Sequence, residues 1–448
     1  MNYNSLEKKE ALKISIKEGS AANLSAGIGA NIISPFALRL SNNPVNIGLL
    51  SSIPGLISPF VQIWGSNLMK RYSRKKIVLT FVFLQAITWL PIALIGILFW
   101  LDIIKSSAIY FLIIFYTLFS ALGGFAHPAW FSWMGDLVPS KERGRYFAKR
   151  NIVLGIVEVF AAIFSAFLIK AFTENNKLIG FSILFFISFI SRLISFFLLN
   201  KQYIPKEKSL KEFVAPLKEI RKSNKNFIYF VTYLFFFHFS IMLASPFFAV
   251  YMKQELGFDD SLLILIAISS SFFYLIFSFF AGRFSDKYGN VRLIFLSNLL
   301  FSISPLLWLF NKNPIYLLLI PQFIAGAANA AYNISFSNFI YDSLKKEHRA
   351  KGIAFANVMC GFGIFFGATL GGFLLKYLSL SFLNKFFFIF LTASILRFLV
   401  VLLFSNKIKE ERKVSRVPHV HISKLVPINE IFSFMPLHLS LNKKGKKI

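Results

Sequence analysis

One kind of segment recurs along almost the whole chain: an apolar run long enough to cross a bilayer, which takes about 20 residues as a helix. Twelve such runs can be drawn, near residues 20–41, 45–68, 77–100, 107–133, 146–169, 179–199, 227–251, 261–284, 292–310, 315–339, 352–374 and 385–404. Inside lipid every backbone N–H and C=O must be satisfied within the protein, so runs of this length are expected to be helices. The fold class expected is an all-α polytopic membrane protein. Composition agrees: 56% of residues are hydrophobic and 57 are Phe, more than the core of one soluble domain this size could bury.

The formal net charge of +29 raises the question of a nucleic-acid partner. Its placement argues against one, because most of the basic residues sit in short loops between apolar runs, where they orient helices and meet anionic lipid. Orientation follows from their asymmetry. With the N-terminus inside, the outer loops hold only Lys105, Lys170, Lys177, Lys253, Lys312, Lys376 and Lys385. Single inner loops hold Lys70, Arg71, Arg74, Lys75 and Lys76, or Lys141, Arg143, Arg145, Lys149 and Arg150. Both termini are therefore expected on the cytoplasmic face of a plasma membrane. The lone Cys360 lies in an apolar run and offers neither an internal disulfide nor a thiolate metal site. No metal-ligand spacing, nucleophile elbow or phosphate loop is visible, so no metal and no cofactor are expected, and a membrane-embedded lipid-modifying enzyme is the weaker reading.

The chain is built twice over. Asp136-Leu-Val-Pro-Ser-Lys-Glu-Arg143 returns in outline as Asp342-Ser-Leu-Lys-Lys-Glu-His-Arg349, each followed by a helix-length apolar run bearing Asn151 or Asn357. The longest internal polar stretch, 200–226, divides the runs six and six. The expected organisation is a cytoplasmic N-terminus (1–19), a first six-helix bundle (20–199), a linker (200–226), a second bundle (227–404) and a tail (405–448). The tail is too broken for a thirteenth span and is expected to be disordered or to lie on the membrane surface.

After the eighth run comes Gly282-Arg-Phe-Ser-Asp286-Lys287-Tyr-Gly289-Asn-Val-Arg292. This resembles the cytoplasmic loop signature of the major facilitator superfamily, G-x-x-x-D-[RK]-x-G-x-[RK]-[RK], with Val291 the only misfit. The paired Asp136–Arg143 and Asp342–Arg349 loops match that family's other cytoplasmic signature. The resemblance covers about 20–404 and implies twelve helices in two pseudo-symmetric six-helix bundles. The equivalent first-half loop departs from the pattern: both glycines are Ser66 and Ser73, and the acidic position is Lys70. That departure is the one hint of a non-transporting receptor or scaffold on the same fold. Within each lobe, Arg74 is expected to pair with Asp136, and Arg292 with Asp342. Gly363, Gly367 and Gly371 fall on one face of the eleventh run, as close helix packing requires.

Ionisable groups inside the membrane need a reason to be there. Glu158 falls near the middle of the fifth run and has Ile364 opposite it in the repeat. It reads either as a proton- or cargo-binding carboxylate or as an acid satisfied by a neighbouring Arg, Asn or Ser. Arg192 and Arg397 match one another across the repeat, which argues for a structural role, with Glu158 a possible partner of Arg192. Arg39 reads as an anion attractor or an interfacial anchor. The family resemblance implies a path lined by runs one, two, four, five, seven, eight, ten and eleven. Its polar candidates here are Asn31, Gln62, His127, Trp130, Glu158, His238, Tyr274, Asn329 and Asn333. The resemblance also implies a monomer that moves a small-molecule substrate, with or without protons, by exposing a central site to each side of the bilayer in turn.

Overall fold

The computed structural model describes residues 5–138, 143–203, 225–344, 349–378, 383–412 and 414. It contains twelve helical spans: α1 Glu10–Leu40, α2 Pro44–Leu68, α3 Arg74–Trp100, α4 Ala108–Leu137, α5 Lys149–Ala171, α6 Glu174–Asn200, α7 Lys225–Gln254, α8 Asp260–Tyr288, α9 Asn290–Phe310, α10 Pro314–Ser343, α11 Gly352–Tyr377 and α12 Lys385–Phe404. No strand occurs among the described residues. Side chains such as Phe160, Phe197, Phe310 and Leu403 project from the outside of the bundle, where a soluble protein would expose charge and lipid would cover rings.

The six-plus-six division is visible in the packing. In the first lobe neighbours run in the order α2, α4, α3, α6, α1, α5; in the second they run α8, α10, α9, α12, α7, α11, the same order element for element. Two long seams join the lobes, α2 against α11 and α5 against α8, and the pseudo-twofold exchanges them. Small residues set the spacing. A Cβ on Gly48 would come within 2.5 Å of the Ala368 carbonyl across the α2–α11 seam. A Cβ on Gly367 would come within 2.4 Å of the Phe239 carbonyl, and Gly363 and Gly371 meet the α7 backbone at Phe235 and Leu243 in the same way. The glycine stripe of α11 therefore lies directly on α7.

Three spans break inside the membrane. The helix that begins α1 starts at Ser5, well before the expected edge, and stops at Ile28; a 3-10 turn, Ala30–Ile32, precedes the helix Ile33–Leu40. Pro35 lacks the N–H that would bond Asn31, so the ladder is interrupted there. α3 is interrupted at Thr88. α7 stops at Met242 and resumes at Phe247, after Pro246.

Candidate functional site

At the end of the bundle away from the termini, the lobes are tied by charge. Arg39, closing α1, donates from Nε to Asp260 Oδ2 at 2.5 Å and from Nη2 to Glu174 Oε2 at 2.6 Å. Asp260, the first residue of α8 and fully buried, also receives Lys253 Nζ at 2.7 Å. Lys177 of the first lobe contacts Glu174 and reaches Asp259 of the second at 3.5 Å. Gln254 Nε2 donates to the Asn42 carbonyl at 2.9 Å. Asp259 caps α8 through the Ser261 N–H. Burial alone would raise its pKa, but the Ser261 hydroxyl and amide and the Lys177 ammonium together hold it below the usual carboxylate range. Arg39 is thus an interlobe tie, rather than an anion attractor or lipid anchor. The acids Asp259 and Asp260, passed over in the sequence, were signalled by being adjacent carboxylates on the side poorest in charge.

At the opposite end, the charged pairs between described residues stay within one lobe. Arg74 Nη1 lies 2.6 Å from Asp136 Oδ2 and also donates to Ser132, the pairing expected from the sequence. Arg143's side chain lies outside the described residues. The second lobe differs from expectation. Asp342 does not take Arg292; it accepts Asn290 Nδ2 at 2.6 Å and lies 3.0 Å from Arg412 Nε. Arg292 turns its Nη1 to the Tyr288 carbonyl at 3.4 Å. The cause is the start of the tail. Past α12 the chain returns across the loop signature: Glu410 Oε2 accepts the Val291 N–H at the start of α9 (2.9 Å), Arg412 donates to the Ser285 carbonyl (3.1 Å), and Asn226 bonds the Lys409 backbone and Glu411. An anion at a helix N-terminus satisfies a free donor there. Asp286, the acid of the loop signature, is exposed, and Glu410 serves this helix start instead. Residues 405–412 are thus docked rather than disordered, while the segment 422–441 lies outside the described residues. Gly289, at φ +98°, makes the turn between α8 and α9, a conformation that favours glycine. Gly282 has open space where a Cβ would stand, and Lys287 lies over the Tyr288 ring. Arg349 donates to the Leu344 and Tyr341 carbonyls at the foot of α11.

Between these ends, the first lobe has a fissure where α1 and α4 face one another. One cavity, about 460 Å3, is lined by α1, α2 and α4, including Ser34, Ser51, Ser58, Gln62, Ser120 and His127. A second, about 220 Å3, lies toward the terminal side and is lined by Glu18, Asn23, His127, Trp130, Arg150 and Arg192 among others. Gly123 and His127 border both. Gln62 also meets the second lobe, accepting from Asn357 Nδ2 at 3.2 Å.

Glu158 does not partner Arg192. Its Oε1 accepts Asn31 Nδ2 at 3.1 Å, where the break in α1 turns the Asn toward α5. Arg192 instead donates Nε and Nη2 to Gln85 Oε1, at 3.0 and 2.6 Å, and Nη1 to Ser195. The acid nearest it in the network is Glu18, which accepts Ser195 Oγ at 3.0 Å and lies 3.4 Å from Arg150 Nη2. Glu18 and Arg150 escaped sequence reasoning because they looked like terminal and loop charges. The signal was Gly19 beside Glu18, where a Cβ would come 2.4 Å from Arg150 Nη2.

The second-lobe candidates are arranged differently. His238 Nδ1 bonds the Leu234 carbonyl of its own helix at 2.9 Å, and Nε2 lies 3.4 Å from the Tyr332 hydroxyl. Phe237 and Tyr332 rings meet at 4.8 Å, and Phe230 packs on Phe339 at 4.4 Å. Asn329 and Asn333 donate to carbonyls of their own helix, Ala325 and Asn329. Tyr274 sits half-buried on α8 against the small core of Ala281, Leu293, Ala330 and Ala331. Arg397, 2% exposed, bonds three backbone carbonyls: Phe301 at 2.7 Å, Ile241 at 3.0 Å and Ser240 at 3.3 Å. Pro305 cannot bond Phe301, and the α7 turn diverts the Ala244 and Ser245 amides to Ile241, which frees Ser240. Arg397 answers the acceptors that two helix breaks expose. The structure therefore brings Gln62, His127 and Trp130 to one fissure, joins Asn31 to Glu158 beside it, and leaves His238, Tyr274, Asn329 and Asn333 across the lobe boundary.

Twelve spans in two matching bundles, with a polar fissure inside and an ion-paired rim outside, define an integral membrane protein of two-lobed architecture. The chain belongs to the Major Facilitator Superfamily, whose family model matches residues 20–244 and 230–437. The family and the structural neighbours are transporters, not enzymes. The quinolone resistance protein NorA of Staphylococcus aureus is 27% identical over 147 residues, 33% of this chain and 37% of that protein. The chain thus aligns with little more than a third of that curated relative. A nucleoside transporter, NupG, superposes with a TM-score of 0.67 at 15% identity, covering 89% of this chain and 99% of that one. A D-xylose-proton symporter does so at 0.68 and 15%, covering 90% and 99%. A bacterial homologue of the lysosomal transporter Spinster, inward-facing and unoccupied, does so at 0.62 and 13%, covering 92% and 99%. At these identities the likeness is one of fold.

Proposed function

We propose that this protein is a monomeric secondary transporter that moves a small solute across the plasma membrane by rocking its two lobes about the central fissure. One observation carries this reading: Arg39 of one lobe is bonded to Asp260 of the other at the far rim, while among the described residues the charged pairs on the terminal side stay within their own lobes. An assembly closed at one rim and joined by two symmetric seams has the hinge that alternating access needs. The basic loops assign the terminal side to the cytoplasm, so the rim closed here is the outer one. Proton coupling is assigned to Glu158. It is an acid at mid-depth and lacks a counterpart in the other lobe; Asn31 satisfies one of its oxygens, but a neutral amide leaves the carboxylate charge uncancelled where a cation would not.

Flux through reconstituted proteoliposomes tests both parts. With Asn42 and Gln254 replaced by Cys in a Cys360→Ser background, an outer-rim disulfide is expected to stop flux and reductant to restore it. Undiminished flux with the rim locked would refute rocking. Glu158→Gln is expected to abolish dependence on a pH gradient while leaving facilitated equilibration; unchanged gradient dependence would remove Glu158 from the coupling.

A further inference from the structure

We infer that the smaller cavity of the first lobe is a subsite for an organic anion, the carboxylate or phosphate head of the cargo, with Arg192 and Arg150 as its receiving groups. The inference rests on the transport reading only in calling the ligand cargo. Three charged side chains face this cavity: Arg150, Arg192 and Glu18. They form one network. Arg192 bonds Ser195, Ser195 bonds Glu18, and Glu18 meets Arg150, so a single carboxylate serves two guanidiniums. Gln85 holds Arg192 by a neutral oxygen, which orients the guanidinium without cancelling its charge. Among the described lining residues the sum is one positive charge, far inside the bundle, where an unanswered cation is costly.

Arg150 is 5% exposed and is placed with similar care. Its Nε donates to the Ser15 carbonyl at 3.3 Å, Nη2 meets Glu18 at 3.4 Å, and the guanidinium lies 4.9 Å from the Trp130 ring. A planar guanidinium fixed in this way presents its remaining N–H groups as a fork suited to carboxylate or phosphate oxygens. The larger cavity next door has no charged lining residue and several hydroxyls. The pair of cavities therefore fits a two-part ligand, an anionic head beside Trp130 and a neutral body among Ser34, Ser51 and Ser120. Arg397, the repeat partner of Arg192, is 2% exposed and gives its guanidinium to three backbone carbonyls instead.

Thermal melting of the purified full-length protein in detergent tests the site without requiring flux, because a ligand bound to the folded state raises the melting temperature. The probes are benzoate, phenyl phosphate and the uncharged benzamide at equal concentration and ionic strength. One or both anions are expected to raise the melting temperature, and benzamide is not; whichever anion acts identifies the head group. Arg192→Gln is expected to weaken the half-saturating anion concentration at least tenfold. Glu18→Gln is expected to tighten it several-fold, which loss of a merely structural contact would not do. If Glu18→Gln fails to fold, Arg150→Lys, which keeps charge but loses the fork, is expected to weaken binding by a smaller factor than Arg192→Gln. Equal shifts with benzamide, no shift with either anion, or anion affinity unchanged in Arg192→Gln would overturn the subsite. Flux without anion binding refutes this inference alone; anion binding without flux refutes the transport reading instead.

Discussion

The two lobes use one plan and finish it differently. In the first, α1 and α4 stand apart and the gap is lined by hydroxyls, two amides, an imidazole and three charges. In the second, the corresponding α7 and α10 are closed over by rings, Phe230, Phe237, Tyr332, Phe336 and Phe339. The two buried arginines follow suit. Arg192 is held by a neutral amide and a hydroxyl and faces a cavity; Arg397 is spent on backbone carbonyls. The duplicated scaffold is thus finished in two ways: one copy leaves polar groups facing cavities, and the other packs its polar groups among rings. Exposure of a side chain to a fissure, rather than its residue type, decides which arginine can take a ligand.

The largest expected effect comes from removing the buried arginine of the packed lobe. Arg397→Leu strands the buried Phe301 and Ser240 carbonyls, at about 1–3 kcal/mol each, and takes a further donor from Ile241, so it should yield little monodisperse protein by size exclusion. Arg192→Gln should melt within a few degrees of the parent. Equal losses in the two variants would erase the distinction between the lobes. Next in size, Asp260→Asn removes the carboxylate that answers Arg39 and Lys253. Breaking a buried ion pair costs about 3–5 kcal/mol, so the population should move toward an open outer rim. A Cys placed at Ser51 in a Cys360→Ser background should then react with an impermeant maleimide more than tenfold faster; an unchanged rate would show that the rim does not hold the closed state.

Gly367→Ala tests the firmness of the second lobe. Its Cβ would press on the Phe239 carbonyl, and overpacking of this kind costs about 1–3 kcal/mol, so melting should fall by several degrees. A neutral result would mean that α11 and α7 slide freely. The smallest expected effect is that of Tyr332→Phe. It removes one long contact to His238 and keeps the ring, so stability should change by less than about 1 kcal/mol, with flux retained. Loss of flux there would place the ligand against both lobes and sharpen the division drawn above.

Much of the fold is legible in the sequence. Run length and loop charge specify twelve helices and their alternation, because lipid leaves the backbone no other solution. The Arg74–Asp136 pair follows from the resemblance of its two loops to the family's cytoplasmic signatures, and the α11 glycine stripe from local spacing. The site was legible only in part. Gln62, His127 and Trp130 share the fissure, but His238, Asn329 and Asn333 carried the same polarity and were turned to their own helices or neighbouring rings. The Asp342 partner was misread because Arg412 lies 70 residues further along the chain. Residue type alone could not show that the tail folds back.

What the amino-acid order determined by itself was the class and the duplication, since hydropathy and charge act within single segments and need no partner to be read. What tertiary structure alone decided was pairing: Glu18 with Arg150, Arg39 with Asp260, Glu410 with the start of α9. Each joins segments far apart in sequence, and each depends on how tightly two backbones approach, a quantity set by packing across the bundle and not by any one run of residues.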